Sequence, residues 1–123
     1  VQCWQHQYFI MENILLKKQR NIWTQKEYLL EANMLKTLED LISLIRERKI
    51  SKLENSYTYK LLKDKNLNLS KVKEEITELI EAVEKDTNKV HEAADVMYHL
   101  MVYLEANNVK IEDVMSELKR RKK

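Results

Sequence analysis

Lys71-Val72-Lys73-Glu74-Glu75-Ile76-Thr77-Glu78 and Glu92-Ala93-Ala94-Asp95-Val96-Met97-Tyr98-His99-Leu100 are the two stretches on which the reading of this chain turns. The first opens a segment in which Val72, Ile76, Leu79, Ile80 and Val83 recur at helical spacing, with Ser70 as the expected N-cap. Asp86-Thr87-Asn88 breaks the pattern, and a second helix is expected from about Lys89 to Ala106, with Asn107-Asn108 where a terminal glycine would usually stand. The link is short, so the two helices should pack antiparallel. In such a hairpin, residues whose numbers share a constant sum lie level. Glu78 should therefore face Glu92, and Glu75 should face Asp95. Each pair is spaced by three residues and projects from one edge of its helix.

Four carboxylates at one height repel unless they are protonated or bridged by a cation. Hard oxygen ligands favour Mg²⁺, or Mn²⁺, over zinc. By the same register Lys71 lies level with His99 beside the acidic cluster, which suits a substrate carrying phosphates. The chemistry implied is metal-assisted hydrolysis of a phosphoanhydride. Glu74, Glu81 and Glu84 read as members of a solvated face, and Met97, Met101 and Met115 as core.

Composition agrees with a helical chain. There are 123 residues without glycine or proline, 44% of them apolar and 34% charged. A glycine-rich phosphate loop, a dinucleotide-binding fingerprint and tight primed hairpins are thereby disfavoured, and Asn or Asp must occupy left-handed backbone positions. The net charge is +2. Charge is unevenly spread, with an acidic centre over 74–95 and a wholly basic end, Lys119-Arg120-Arg121-Lys122-Lys123. Cys3 is the single cysteine, so an intrachain disulfide and a thiolate zinc site are both excluded. A cytoplasmic protein is expected: no basic residue precedes the short apolar patch Tyr8–Met11, and no segment suits a membrane span.

Outward from the hairpin, three more helices are expected. One starts at Thr37, which with Asp40 resembles a capping box, and uses Leu38, Leu41, Ile42 and Ile45. A short one covers 56–65 and ends in Asp64-Lys65-Asn66. The last uses Ile111, Val114, Met115 and Leu118. Residues 1–36 are poorly patterned and read as a helical extension of unknown role, which leaves 37–123 as the functional domain. The helix at 89–106 is apolar on most sides, so a second subunit is expected to cover one face, giving a homodimer.

The blocks Ser56-Tyr57-Thr58-Tyr59-Lys60-Leu61-Leu62, Lys71–Glu78 and Glu92–Leu100, in that order, resemble the phosphoribosyl-ATP pyrophosphatase family of histidine biosynthesis, within the all-α NTP pyrophosphatase (MazG-like) superfamily. The resemblance covers about 37–121. It implies an all-α bundle and a Mg²⁺-dependent hydrolase that converts 1-(5-phosphoribosyl)-ATP and water to 1-(5-phosphoribosyl)-AMP and pyrophosphate. It implies Glu75, Glu78, Glu92 and Asp95 as metal-binding and catalytic carboxylates, with Glu74 a possible extra participant. Ser56, Tyr57, Thr58, Lys60, Lys71 and His99 are then substrate-side residues, His99 and Tyr98 serving either packing or substrate contact. Family glycines fall near Asn66 and at Lys73 here. Some relatives carry a fused cyclohydrolase, whose cysteine-rich metal site this chain lacks. Two other readings stay open: a MazG-like house-cleaning nucleotidase using the same carboxylates, and a non-catalytic helical module touching nucleic acid through Lys119–Lys123. Neither nucleic acid nor a membrane is the expected partner.

Overall fold

A computed structural model describes residues 34–122. The chain partitions into two units, Val1–Glu39 and Asp40–Lys123, and the second holds everything described below except the opening of its first helix. The sequence reading of residues 1–33 lies outside the described residues. Among these, every element is helical: α1 over 34–51, α2 Tyr57–Lys63, α3 Lys65–Lys85, α4 Lys89–Ala106 and α5 Ile111–Arg121. This is the all-α bundle expected of the NTP pyrophosphatase type.

α1 buries Ile42 and Ile45, two of the expected stripe. Its start differs from expectation. Residues 34–51 are helical, so Thr37 and Asp40 lie inside α1 and not at its start.

The entry to α3 also differs. A single residue, Asp64, closes α2 and opens α3. Its backbone is extended and its Oδ1 accepts hydrogen bonds from the amides of Asn66 and Leu67, both at 3.1 Å. One side chain thus satisfies two of the donors that a helix start leaves open. Ser70 is consequently an interior residue of α3, and Asn66 sits in its first turn. Neither Asn66 nor Lys73 takes the place of a left-handed glycine. Ser56 does cap α2, accepting from the Tyr59 amide at 3.4 Å.

Among the described residues, left-handed backbone occurs at Lys52, Asp86 and Asn108. The last two end α3 and α4 in the same way. The Thr87 amide donates to the Ala82 carbonyl at 2.9 Å, and the Val109 amide donates to the Leu104 carbonyl at 2.9 Å. Each is the six-to-one bond of a Schellman turn, built here without glycine.

α3 and α4 pack along one another, with α2 packed against both. Ile45, Leu61, Asn68 and Val102 are sealed from solvent at the centre. α1 is tied to the far end of α4 and to α5 by charge. The Arg46 guanidinium donates to Glu105 Oε1 at 3.0 Å and to both Glu112 oxygens at 2.8 Å. Lys49 Nζ donates to the Glu105 carbonyl at 2.8 Å and Asn108 Oδ1 at 2.9 Å.

The apolar stripes are only half used. Val72 is buried on α3, yet Ile76, Ile80 and Val83 are 43, 54 and 58% exposed. On α4, Met101, Val102 and Ala106 are buried, whereas Val90 and Met97 are 86 and 50% exposed. On α5, Ile111 is buried and Met115 and Leu118 are exposed, so two residues assigned to the core (Met97 and Met115) lie on the surface of this chain.

Candidate functional site

The α3–α4 hairpin brings Glu75, Glu92 and Asp95 together, with one carboxylate oxygen from each lying within 4.8 Å of the others. Glu75 belongs to the buried face of α3, while Glu92 and Asp95 are partly buried on α4. Glu78, one turn after Glu75, is exposed and stands beside Glu92. The antiparallel register predicted from residue numbers is therefore the one observed.

The electrostatics follow from this crowding. Burial, then the negative charges of Glu78 and Asp95, push the Glu75 carboxyl above its ordinary range. Glu78 is raised as well, by partial desolvation and by Glu92 and Glu74. Glu75 and Glu78, disfavoured as anions by burial and by neighbouring charge, belong with Glu92 and Asp95 to a donor set suited to a hard divalent cation. Oxygen donors from two helices, with an exposed fourth acid beside them, are a set that could hold a divalent metal ion.

Lys71 Nζ pairs with Glu74 Oε2 at 2.8 Å on the same helix. Its charge also reaches Tyr57, Glu75, Glu78 and His99. Lys71 thus sits at the edge of the acidic cluster, where a phosphate could exchange for Glu74. Tyr57 is 47% exposed at the start of α2, beside the capping residue Ser56. Lys60, on the next turn of α2, is exposed.

Two residues named on the substrate side are buried. Thr58 is buried, and its Oγ1 lies 2.6 Å from the Tyr98 hydroxyl. His99 is 5% exposed, with Nε2 3.6 Å from Glu75 Oε1. The rings of Tyr98 and Tyr57 stand edge-on to it, with centroids at 5.1 and 6.0 Å. Burial, then Lys71, pulls the His99 pKa below the ordinary histidine value.

His91 is a residue that the sequence reading missed. Its Nε2 lies 3.3 Å from Asp95 Oδ2, one turn along α4. The signal was available, since positions four apart share a helix face. A separate cleft lined by Arg46, Lys49, Glu105, Asn108 and Glu112 lies between α1, α4 and α5, but its Arg46 and Lys49 are already engaged by the partners described above.

Fold and site together describe an all-α bundle whose acidic groups are borne on a helical hairpin. The family described as phosphoribosyl-ATP pyrophosphohydrolase matches residues 38–122. The chain is 39% identical over 90 residues to a phosphoribosyl-ATP pyrophosphatase of Haloarcula marismortui, covering 69% of this chain and 92% of that protein. It is 46% identical over 89 residues to that of Sulfurisphaera tokodaii, covering 70 and 95%. It is also 40% identical over 90 residues to the histidine biosynthesis bifunctional protein HisIE of Pyrococcus furiosus, covering 72% of this chain and 43% of that one. The chain belongs to the phosphoribosyl-ATP pyrophosphohydrolase family.

Proposed function

We propose that this chain hydrolyses 1-(5-phosphoribosyl)-ATP to 1-(5-phosphoribosyl)-AMP and pyrophosphate, the second step of histidine biosynthesis, with Mg²⁺ as its ion. The observation that carries the reading is the convergence of Glu75, Glu92 and Asp95 from two helices, beside Glu78, in a member of this family. Glu75, Glu78, Glu92 and Asp95 are the residues that would hold the ion. Bound there, a divalent cation supplies charge neutralisation for the phosphate oxygens and orients the attacking water.

The chain's own residues do the rest. The carboxylates hold water in line with the phosphoanhydride and draw off its proton, and Lys71 receives phosphate charge in exchange for Glu74. Ser56, Tyr57 and Lys60 line the approach from α2. Residues 1–36 are an extension to the 37–123 functional domain, and the protein works in the cytoplasm. No helix among the described residues is long and apolar enough to cross a membrane. A second copy covers the exposed Ile76, Ile80, Val83, Val90 and Met97 of α3 and α4, making a homodimer. Sedimentation velocity should give twice the chain mass of 14.9 kDa at micromolar concentration; a monomer there would contradict the dimer.

Two substitutions test the catalytic reading. Glu78→Gln and Asp95→Asn should abolish pyrophosphate release and leave the helical circular dichroism unchanged. Near-normal turnover by either variant would remove the carboxylate account. A substrate panel separates the close alternative, because rapid hydrolysis of dUTP or dCTP with none of phosphoribosyl-ATP would mark a house-cleaning nucleotidase.

A further inference from the structure

His99 is deeply buried, at 7% side-chain exposure, and faces the most buried acid of the site. Its ring has two nitrogens with different surroundings. Nδ1 is buried and has no hydrogen-bond partner among the described residues, whereas Nε2 looks onto Glu75 Oε1 at 3.6 Å. A neutral imidazole carries one N–H. A buried donor without an acceptor is rarer and more costly than a buried acceptor without a donor. The proton therefore belongs on Nε2, the nitrogen that faces Glu75.

The ring itself is held in place. Tyr98, the preceding residue on α4, stands edge-on against it, and the Tyr98 hydroxyl is fixed to Thr58 of α2 at 2.6 Å. Tyr57, also on α2, stands edge-on to it at 6.0 Å. Thr58, Tyr98, His99 and Glu75 thus form a continuous line from α2 through α4 to the α3 carboxylate.

We propose that His99 is a positioning residue, which donates from Nε2 to Glu75 and fixes that carboxylate for the cation, with Thr58 and Tyr98 fixing His99 in turn. This rests on the metal reading above and extends it. Outer hydrogen-bond partners of this kind set ligand orientation and commonly change metal affinity by about 10- to 100-fold.

The test is Mn²⁺ binding to the full chain without substrate, read from loss of the free-ion electron paramagnetic resonance signal. His99→Phe keeps an aromatic ring but loses the donor, and should weaken Mn²⁺ by about 10- to 100-fold. His99→Gln places an amide N–H near the Nε2 position and should restore affinity to within about threefold of wild type. Tyr98→Phe, which keeps the ring and cuts the tie to Thr58, should weaken binding severalfold, and it decides the matter if His99→Phe does not fold. Unchanged affinity in folded His99→Phe, equal losses in the Phe and Gln variants, or no effect of Tyr98→Phe would overturn the positioning role. Absence of Mn²⁺ binding by the wild-type chain would overturn the metal reading itself.

Discussion

Asn68 and Val102 are both sealed from solvent at the centre of the bundle, but only one of them is apolar. Both amide atoms of Asn68 are without a hydrogen-bond partner among the described residues. A buried amide left in this state costs about 1–3 kcal/mol. Asn68→Leu, close in shape and free of the polar atoms, should raise stability by about that amount in urea unfolding. Such a site is hard to read from sequence, because an asparagine on a helix is ordinarily assigned to its wet face. Thr58 and His99 show the reverse: the resemblance implies substrate-side positions for them, with packing as the other reading of His99, and both are buried, Thr58 being bonded to Tyr98. The carboxylates were legible from spacing alone, since a constant-sum register follows from antiparallel geometry and needs no side-chain detail.

At the scale of elements, the bounds of α4 follow from the sequence: Asp86 and Asn108 supply left-handed residues on either side of it. The start of α3 was misplaced because Asp64 and Ser70 are both good caps. Asp64 prevails since its single side chain satisfies two amides and lets α2 and α3 share one corner residue. The start of α1 was misplaced because a cap motif can also occur within a longer helix. Lys52 exposes a cost of the glycine-free composition. Its φ of 50° is left-handed, a region where a Cβ is unfavourable and where Lys lacks the local side-chain bonding open to Asn or Asp. Lys52→Gly should stabilise the chain by about 0.5–1 kcal/mol, seen as a higher melting temperature. The gain at Asp86→Gly should be smaller, because Asp tolerates this conformation and Asp86 also holds Lys89.

Over the whole molecule, two groups of carboxylates give opposite pH dependence. Glu112, held to about 2 by Arg46, contributes stability that is present above its ordinary value of 4.5 and is lost as pH falls through about 2. Glu112→Gln should flatten that acid limb in thermal melts. Glu75 and Glu78 are raised, so their contribution is present below 4.5 and is lost as pH rises through their elevated range. The metal-free chain should therefore lose melting temperature through this range at the acidic site. Mg²⁺ should restore it, and Glu75→Gln should reduce both effects, leaving the part that Glu78 owes to Glu92 and Glu74. The apolar surface left on α3 and α4 belongs to this scale too. The stripe was visible in the sequence, but whether it meets its own chain or a second copy is decided by packing that no single helix reveals.

The proposed function requires these four carboxylates to serve a metal-dependent hydrolysis of one substrate. Pyrophosphate release from phosphoribosyl-ATP, measured with Mg²⁺ and again with excess EDTA, tests it most directly. Release with Mg²⁺ that EDTA abolishes and added Mg²⁺ restores is the predicted result. Release that EDTA leaves untouched, or none under either condition from a folded chain, would contradict it.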